Sequence, residues 1–254
     1  ESTLVPFGLT KEQFYSTASY QARDLHDIEF RGIDLSGWDL RGQNLVEAFF
    51  SSTKLATTNF TDANLTGARF YEAKLAGANL TRVDARGALD MDPAGAITTN
   101  LIRPNGLVVN LNLAGGETLI ANPDVPIPIQ LSANFILAPA ATLDLTNNAA
   151  IVDYPGISAA TKVREQILVG RNVEGLGGKW TGTGITSSTA AAANLAAPDS
   201  RSLGYADNAS MPLGGYTAYH GTPVDESSIL IAYTRTGDAN LDGVVNDDDV
   251  TIVG

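Results

Sequence analysis

The 254-residue chain contains no cysteine and only two histidines. The first absence excludes a thiol nucleophile, a thiolate metal site and a disulfide framework, so the fold must rest on its core. The histidines, His26 and His220, lie far apart, and neither stands in an Asp-Ser arrangement of the kind that activates a nucleophile. Positive charge is also scarce: 16 Lys and Arg stand against 28 Asp and Glu, a net charge of -12. No basic patch interrupts that balance, which argues against a phosphate-backbone binder and leaves no nucleic acid among the expected partners. No apolar run reaches 18 residues, so no membrane-spanning helix is expected. The glycine-rich stretch Gly175–Gly184 lacks a following Lys-Ser/Thr and is no phosphate loop. The chain begins at Glu1 rather than Met, which points to processing or to a fragment.

What is present is apolar and small. Hydrophobic residues make up 44% of the chain, enough for a core, while charged residues make up only 17%. Gly, Ala, Thr and Asn fill the difference, as repeated tight turns require. The arrangement is periodic. Phe30, Leu35, Leu40, Leu45, Phe50, Leu55, Phe60, Leu65, Phe70, Leu75 and Leu80 follow one another at intervals of five. Two residues before each runs a second series, from Ile28, Ile33 and Trp38 through Gln43, Ala48, Thr53, Thr58 and four alanines to Val83. Neither the helical period of 3.6 nor the strand period of 2 produces this spacing, so it marks a repeat architecture. Four five-residue sides would make a square coil of twenty residues. Phe30 would then stack over Phe50 and Phe70, Asp39 over Asn59 and Asn79, and Asn44 over Asn64 and Asp84.

The run TDANLTGARFYEAKLAGANLTRVD resembles the A(D/N)LxX units of the pentapeptide-repeat family over roughly 60 residues. The resemblance implies a mainly β fold: a right-handed quadrilateral pentapeptide β-helix continuing into a less regular parallel β-helix, with short capping helices. One family use is mimicry of duplex DNA by an acidic rod. Here Arg31, Arg41, Lys54, Arg69, Lys74 and Arg82 are interspersed among the acids, which disfavours it.

Five segments are expected: an N-terminal cap or spacer over 1–27, the repeat over 28–90, irregular β-helix rungs over 91–158, a capping or irregular region over 159–236, and a loop over 237–254. Thr10 is a plausible N-cap with Gln13 as its box partner, starting a helix over Lys11–Ser16 whose Phe14 and Tyr15, with Phe7 and Leu9, could cover the first coil. Short β-prone runs follow the repeat at 107–113, 117–121, 127–131, 134–137, 141–145 and 150–154. A helix is expected over 159–169, another short segment over 190–197 and a strand over Ser228–Tyr233. The phrasing around LTKEQFYSTASYQ and DLSGWDLRGQNL resembles secreted planctomycete proteins of the same family.

DANLDGVVNDDD near the C-terminus has cation-loop spacing. Asp238, Asn240 and Asp242 take positions 1, 3 and 5, Gly243 the sharp turn, Val244 a backbone carbonyl, Asn246 position 9 and Asp249 position 12. These hard oxygens at these offsets suit a single Ca²⁺. With Asp rather than Glu at position 12, the segment resembles half of a type I dockerin, which implies a cohesin-like partner only if a second loop exists.

The leading functional reading is a non-catalytic extracellular structural protein, a building block of a surface layer, matrix or filament that self-associates or joins neighbouring surface proteins. The alternative is a cell-surface adhesion or carbohydrate- or protein-binding module, with polysaccharide as a possible ligand and Tyr205, Tyr216 and Tyr219 as a sugar-stacking set or, more simply, as cap packing. The third is a β-helix polysaccharide-active enzyme, which would need paired carboxylates on one face, with Asp144 and Asp153 as candidates.

Overall fold

The computed structural model describes residues 10–172, 179–197, 200–211, 214–246 and 249. The chain divides into two compact units, one ending at Leu107 and the other starting at Val108.

The first unit opens with helix α1 (Lys11–Tyr15), whose capping box is complete: the Thr10 side chain accepts from the Gln13 amide while the Gln13 side chain accepts from the Thr10 amide. Helix α2 (Ala18–Gln21) follows after an N-cap at Thr17. Their aromatic residues close over the start of the repeat. Phe14 is buried and meets Phe30 edge-on at 5.7 Å and Trp38 at 5.1 Å. Tyr20 Oη donates to the Asp39 carbonyl at 2.8 Å, so this apolar lid is also tied by its polar tips. Phe7 and Leu9, expected to join the lid, lie outside the described residues.

From Asp24 onward the chain advances in five-residue steps. Every fifth residue from Asp27 to Gly87 has positive φ, glycine at some positions and Glu47, Ser52, Thr57, Asp62, Glu72 or Arg82 at others. These left-handed residues turn the chain. Between turns a single residue pairs in parallel with the residue twenty positions on: Asp24 with Asn44, Asn44 with Asn64, Asn64 with Asp84, and likewise Asp39 with Asn59 and Asn59 with Asn79. The Leu and Phe series is buried throughout, and Phe30, Phe50 and Phe70 form the expected stack, with ring centroids 5.5 and 5.0 Å apart. Inward polar residues find carbonyls: Thr53 Oγ1 donates to Phe30 O at 2.6 Å and Thr58 Oγ1 to Leu35 O at 2.8 Å. The Asn and Asp residues at the pairing positions bond forward to their own turns. Asn59 Oδ1 accepts from the Thr61 amide, Asn64 Oδ1 from Thr66 and Asp34 Oδ1 from Ser36. That bond gives a physical reason for Asn or Asp ahead of Leu35, Phe60 and Leu65. After Asp84 the spacing shortens: Asn79 pairs with Ile97 and Asp84 with Ile102.

The second unit begins with six short strands: β1 (Asn112–Leu113), β2 (Thr118–Ile120), β3 (Ile129–Ser132), β4 (Ile136–Leu137), β5 (Thr142–Asp144) and β6 (Ala150–Asp153). All six fall within the β-prone runs, allowing one residue at the end of β3. Helix α3 (Ala160–Arg171), β7 (Gly184–Thr186), helix α4 (Ser188–Ala196), β8 (Arg201–Asp207), β9 (Ala218–Tyr219), β10 (Thr222–Pro223) and β11 (Ser228–Arg235) follow. Strands β1 and β4 pair in parallel, as do β2–β5–β7 and β3–β6. Strand β11 then pairs antiparallel to both β6 and β8, giving the sheet order β3-β6-β11-β8. Helix α3 lies very close to β7. A Cβ at Gly170 would sit 1.9 Å from the Ile185 carbonyl oxygen, so only glycine lets the two backbones approach this closely.

The structure corrects the expected fold class. The fold is mixed α/β, with short parallel and antiparallel sheets and four short α-helices among the described residues. It is not a closed quadrilateral β-helix continuing into further parallel rungs. Two findings overturn that expectation. Within the repeat no side becomes a strand, because turn residues at every fifth position leave one residue free to pair. In the second unit the parallel succession ends at β11. The run SILIAYTR is apolar on both faces and buried over most of its length, so it occupies a central position paired on both edges, and its direction is reversed.

Candidate functional site at the C-terminal loop

The loop after β11 is anchored to the sheet. Leu241 is buried in a cluster with Ile151, Tyr219 and Leu230. A Cβ at Gly204 of β8 would lie 2.5 Å from Leu241 Cδ2, so the absence of a side chain there makes room for it. Tyr216 Oη donates to the Asn240 carbonyl at 3.1 Å, and the Thr234 hydroxyl at the end of β11 donates to Asp238.

The residues singled out for a cation lie within this turn. Asp238 is buried; its Oδ1 accepts from the Asp242 amide at 3.2 Å and its Oδ2 from the Gly243 amide at 2.9 Å. Asn240 Nδ2 donates to Asp242 Oδ2 at 3.1 Å, and Asp242 Oδ1 accepts from the Val244 amide at 2.8 Å. Asp249 folds back over the loop. Its Oδ1 accepts from Ala239 at 2.7 Å and Asn240 at 3.2 Å, and its Oδ2 from Asn246 at 2.8 Å. These amide bonds, that of Asn246 first, hold the Asp249 carboxyl below its ordinary range. Gly243 has φ +88, the left-handed turn expected of it. The loop thus gathers Asp238, Asn240, Asp242, Val244, Asn246 and Asp249 along one short stretch, with the carboxylates engaged by backbone amides. Among the described residues no group of three or more acidic, histidine or cysteine side chains converges as a metal cluster. Asp247, Asp248 and 250–254 lie outside the described residues.

The other candidates disperse. Asp144 is buried and accepts from the amides of Thr146 and Ser188, both at 2.9 Å, a tie between β5 and the start of α4. Tyr219 is buried, and Tyr216 packs against the same cluster, so this pair offers no open stacking platform. Asn208, which stands in an Asn-x-Ser pattern, is buried with its Nδ2 donating to Tyr216 O and Asp225 O. The sequence pattern also missed Arg86, which is fully buried against Asp84.

The two histidines have opposite surroundings. His26 Nδ1 lies 2.8 Å from Asp24 Oδ1, and this hydrogen bond raises its pKa. Burial lowers that of His220. A raised folded-state value means that protonated His26 favours the fold below the unfolded pKa, and that this contribution fades as pH rises through the folded value. For His220 the sign reverses: protonation on acidification opposes the fold. In an NMR titration, with assignments from His26→Gln and His220→Gln, the His26 ring will titrate above the ordinary imidazole midpoint of about 6.5 and His220 below it.

A family model for pentapeptide repeats matches residues 24–62 and 63–88 in eight copies. Comparison with curated proteins finds no match. Among solved structures, HetL, a pentapeptide-repeat protein involved in heterocyst differentiation regulation in the cyanobacterium Nostoc, is 28% identical over 34% of this chain and 43% of its own, with a TM-score of 0.20. The chain therefore spans less than half of HetL. A pentapeptide-repeat protein from the Arabidopsis thaliana thylakoid lumen is 30% identical over 58% of this chain and 83% of its own, with a TM-score of 0.24. Rfr23 from the cyanobacterium Cyanothece is 25% identical over 29% and 59%, with a TM-score of 0.15. The matched family segment ends at residue 88, so neither a planctomycete-type origin nor a dockerin-like character for the C-terminal loop follows from it. No helix among the described residues is long and apolar enough to cross a membrane. Through the repeats of residues 24–88, the chain belongs to the pentapeptide-repeat family.

Proposed function

We propose that the chain is a non-catalytic structural module acting outside the cytoplasm and associating with copies of itself or with neighbouring proteins. The observation that carries this reading is how the repeat uses its polar residues. Asn59, Asn64 and Asn79 bond their own turns, and charged residues pair with one another, Arg82 with Asp62, Lys54 with Asp34 and Arg41 with Asp39. Such a surface serves the shape of the coil. Light scattering with electron microscopy at micromolar protein tests it. Assemblies that grow with concentration are expected, and a monomer at every concentration would overturn self-association.

We further propose that the C-terminal loop takes one Ca²⁺ through Asp238, Asn240, Asp242, the Val244 carbonyl, Asn246 and Asp249. The support is that their spacing supplies hard oxygens around a glycine turn, and that amide bonds already hold Asp238 and Asp249 in place. Calcium at a hundredfold excess over Kd would stabilise the protein by about 2.7 kcal/mol, read as a rise in Tm. Asp238→Asn should reduce that rise sharply. An unchanged Tm together with no heat of binding in calorimetry would remove calcium from the reading while leaving self-association untouched.

A further inference from the structure

The second unit contains a cleft of about 550 Å³ beside the ends of β3, β6 and β11. One wall is apolar, formed by Pro155, Pro223 and Val224. Asp153, Asp225 and Ser228 line the same space. Among the described residues, no lysine, arginine or histidine lines the cleft. Ser228 Oγ donates to Asp153 Oδ1 at 3.1 Å, and Asp225 Oδ1 accepts from the Ser227 amide at 2.8 Å and the Ser227 hydroxyl at 2.6 Å. Each carboxylate therefore holds a serine hydrogen bond, and among the described residues neither forms an ion pair.

Two fixed negative charges at one apolar-walled concavity focus a negative potential there. Loss of solvent raises the pKa of Asp153 against the lowering effect of the Ser228 hydrogen bond, and the charge of Asp225 adds to the rise. A bare divalent metal matches the site poorly. It calls for six or more oxygen ligands close about one point, whereas this cleft is wide and half apolar. An alkyl chain ending in a cationic head matches both halves, with the stem lying on the prolines and the head meeting the carboxylates.

We propose that this cleft binds an alkyl-ammonium or alkyl-guanidinium group, the chemistry of a lysine or arginine side chain or of a free aliphatic amine.

The test is a ¹H–¹⁵N NMR titration of the full chain at fixed ionic strength with butylammonium and with N-acetyl-arginine-amide. Glucose and calcium chloride serve as comparators. Saturable shifts at Ser132, Asp153, Ser227 and Ser228 are expected with the two cations. Asp153→Asn and Asp225→Asn, which keep the serine hydrogen bonds, should each weaken binding about three- to fivefold, the range of a solvent-accessible ion pair. Tighter binding of the blocked arginine would identify a basic peptide side chain as the source, and tighter binding of butylammonium a free amine. Absence of saturation, equal shifts with glucose or calcium, or unchanged affinity in both variants with intact circular dichroism would overturn the proposal.

Discussion

Phe50→Ala should lower the unfolding free energy of the first unit by about 3–5 kcal/mol, the range for emptying a fully buried aromatic site. Phe50 has no solvent exposure. It stacks between Phe30 and Phe70 at interplanar angles of 21° and 15°, and Phe60 meets it edge-on at 5.7 Å. Removing the ring deletes transfer free energy and leaves a cavity bounded by turns with little freedom to collapse. Phe50→Leu keeps more of the volume, fits the mix of Leu and Phe in its own series and should cost less than Phe50→Ala. The chain has two tryptophans, one in each unit at Trp38 and Trp180, so Trp180→Phe isolates the first unit by fluorescence during urea unfolding. A loss below about 1 kcal/mol for Phe50→Ala would mean that the column yields to fill the space, contrary to the packing described here.

Arg86→Met should destabilise by a similar amount, about 3–5 kcal/mol, for an electrostatic reason. Arg86 is 0% exposed and Asp84 3% exposed. The guanidinium grips the carboxylate at two points, Nη2 to Oδ2 at 2.7 Å and Nε to Oδ1 at 3.0 Å, and the Arg86 amide also donates to Oδ1 at 3.2 Å. Removing the guanidinium leaves a buried carboxylate without its countercharge. Asp84→Leu combined with Arg86→Met removes both charges and should recover most of the loss, since a buried pair is often replaceable by apolar groups of similar volume. The contrast is the solvent-accessible pair Arg41–Asp39, where Arg41→Ala should change stability by no more than about 1 kcal/mol. Chemical denaturation of the parent chain, Asp84→Leu, Arg86→Met and the double replacement forms a cycle. If the double replacement were as damaging as the single one, the pair would be acting through shape rather than charge.

Much of the first unit could be read from the sequence because each five-residue step repeats the same local problem. The apolar residues face inward at fixed spacing, so Leu35 through Leu80 could be named as core, and stacking at twenty followed. The capping box at Thr10 and Gln13 and the apolar run of β11 were equally local signals. Residues whose environment comes from elsewhere were not readable. Glu47, Ser52, Thr57, Asp62, Glu72 and Arg82 adopt left-handed backbone because stacked neighbours fix the turn, against their own preference. The reversal at β11 depends on pairing Ser228 with Asp153, far apart in sequence. Arg86 stands where neighbouring coils carry exposed or half-buried side chains, and nothing in its five-residue unit marks it for burial. The C-terminal loop showed its ligand spacing at once, whereas its tie to the sheet through Leu241 and Gly204 needed the fold. The acidic cleft is assembled from three segments that no motif connects.

Pairing between residues twenty apart also sets a rule for length variation in this lineage. Inserting or deleting twenty residues would keep the inward Leu and Phe series and the Asn59–Asn79 type of pairing in register, Asn beside Asn and Phe upon Phe. A change of five would shift the pairing by one repeat, carrying Lys54 away from Asp34 and breaking the phenylalanine column into a mixture with leucine. Duplication by whole turns is therefore the step that conserves both charge pairing and core, and the eighteen-residue offset from Asn79 to Ile97 marks where that arithmetic stops.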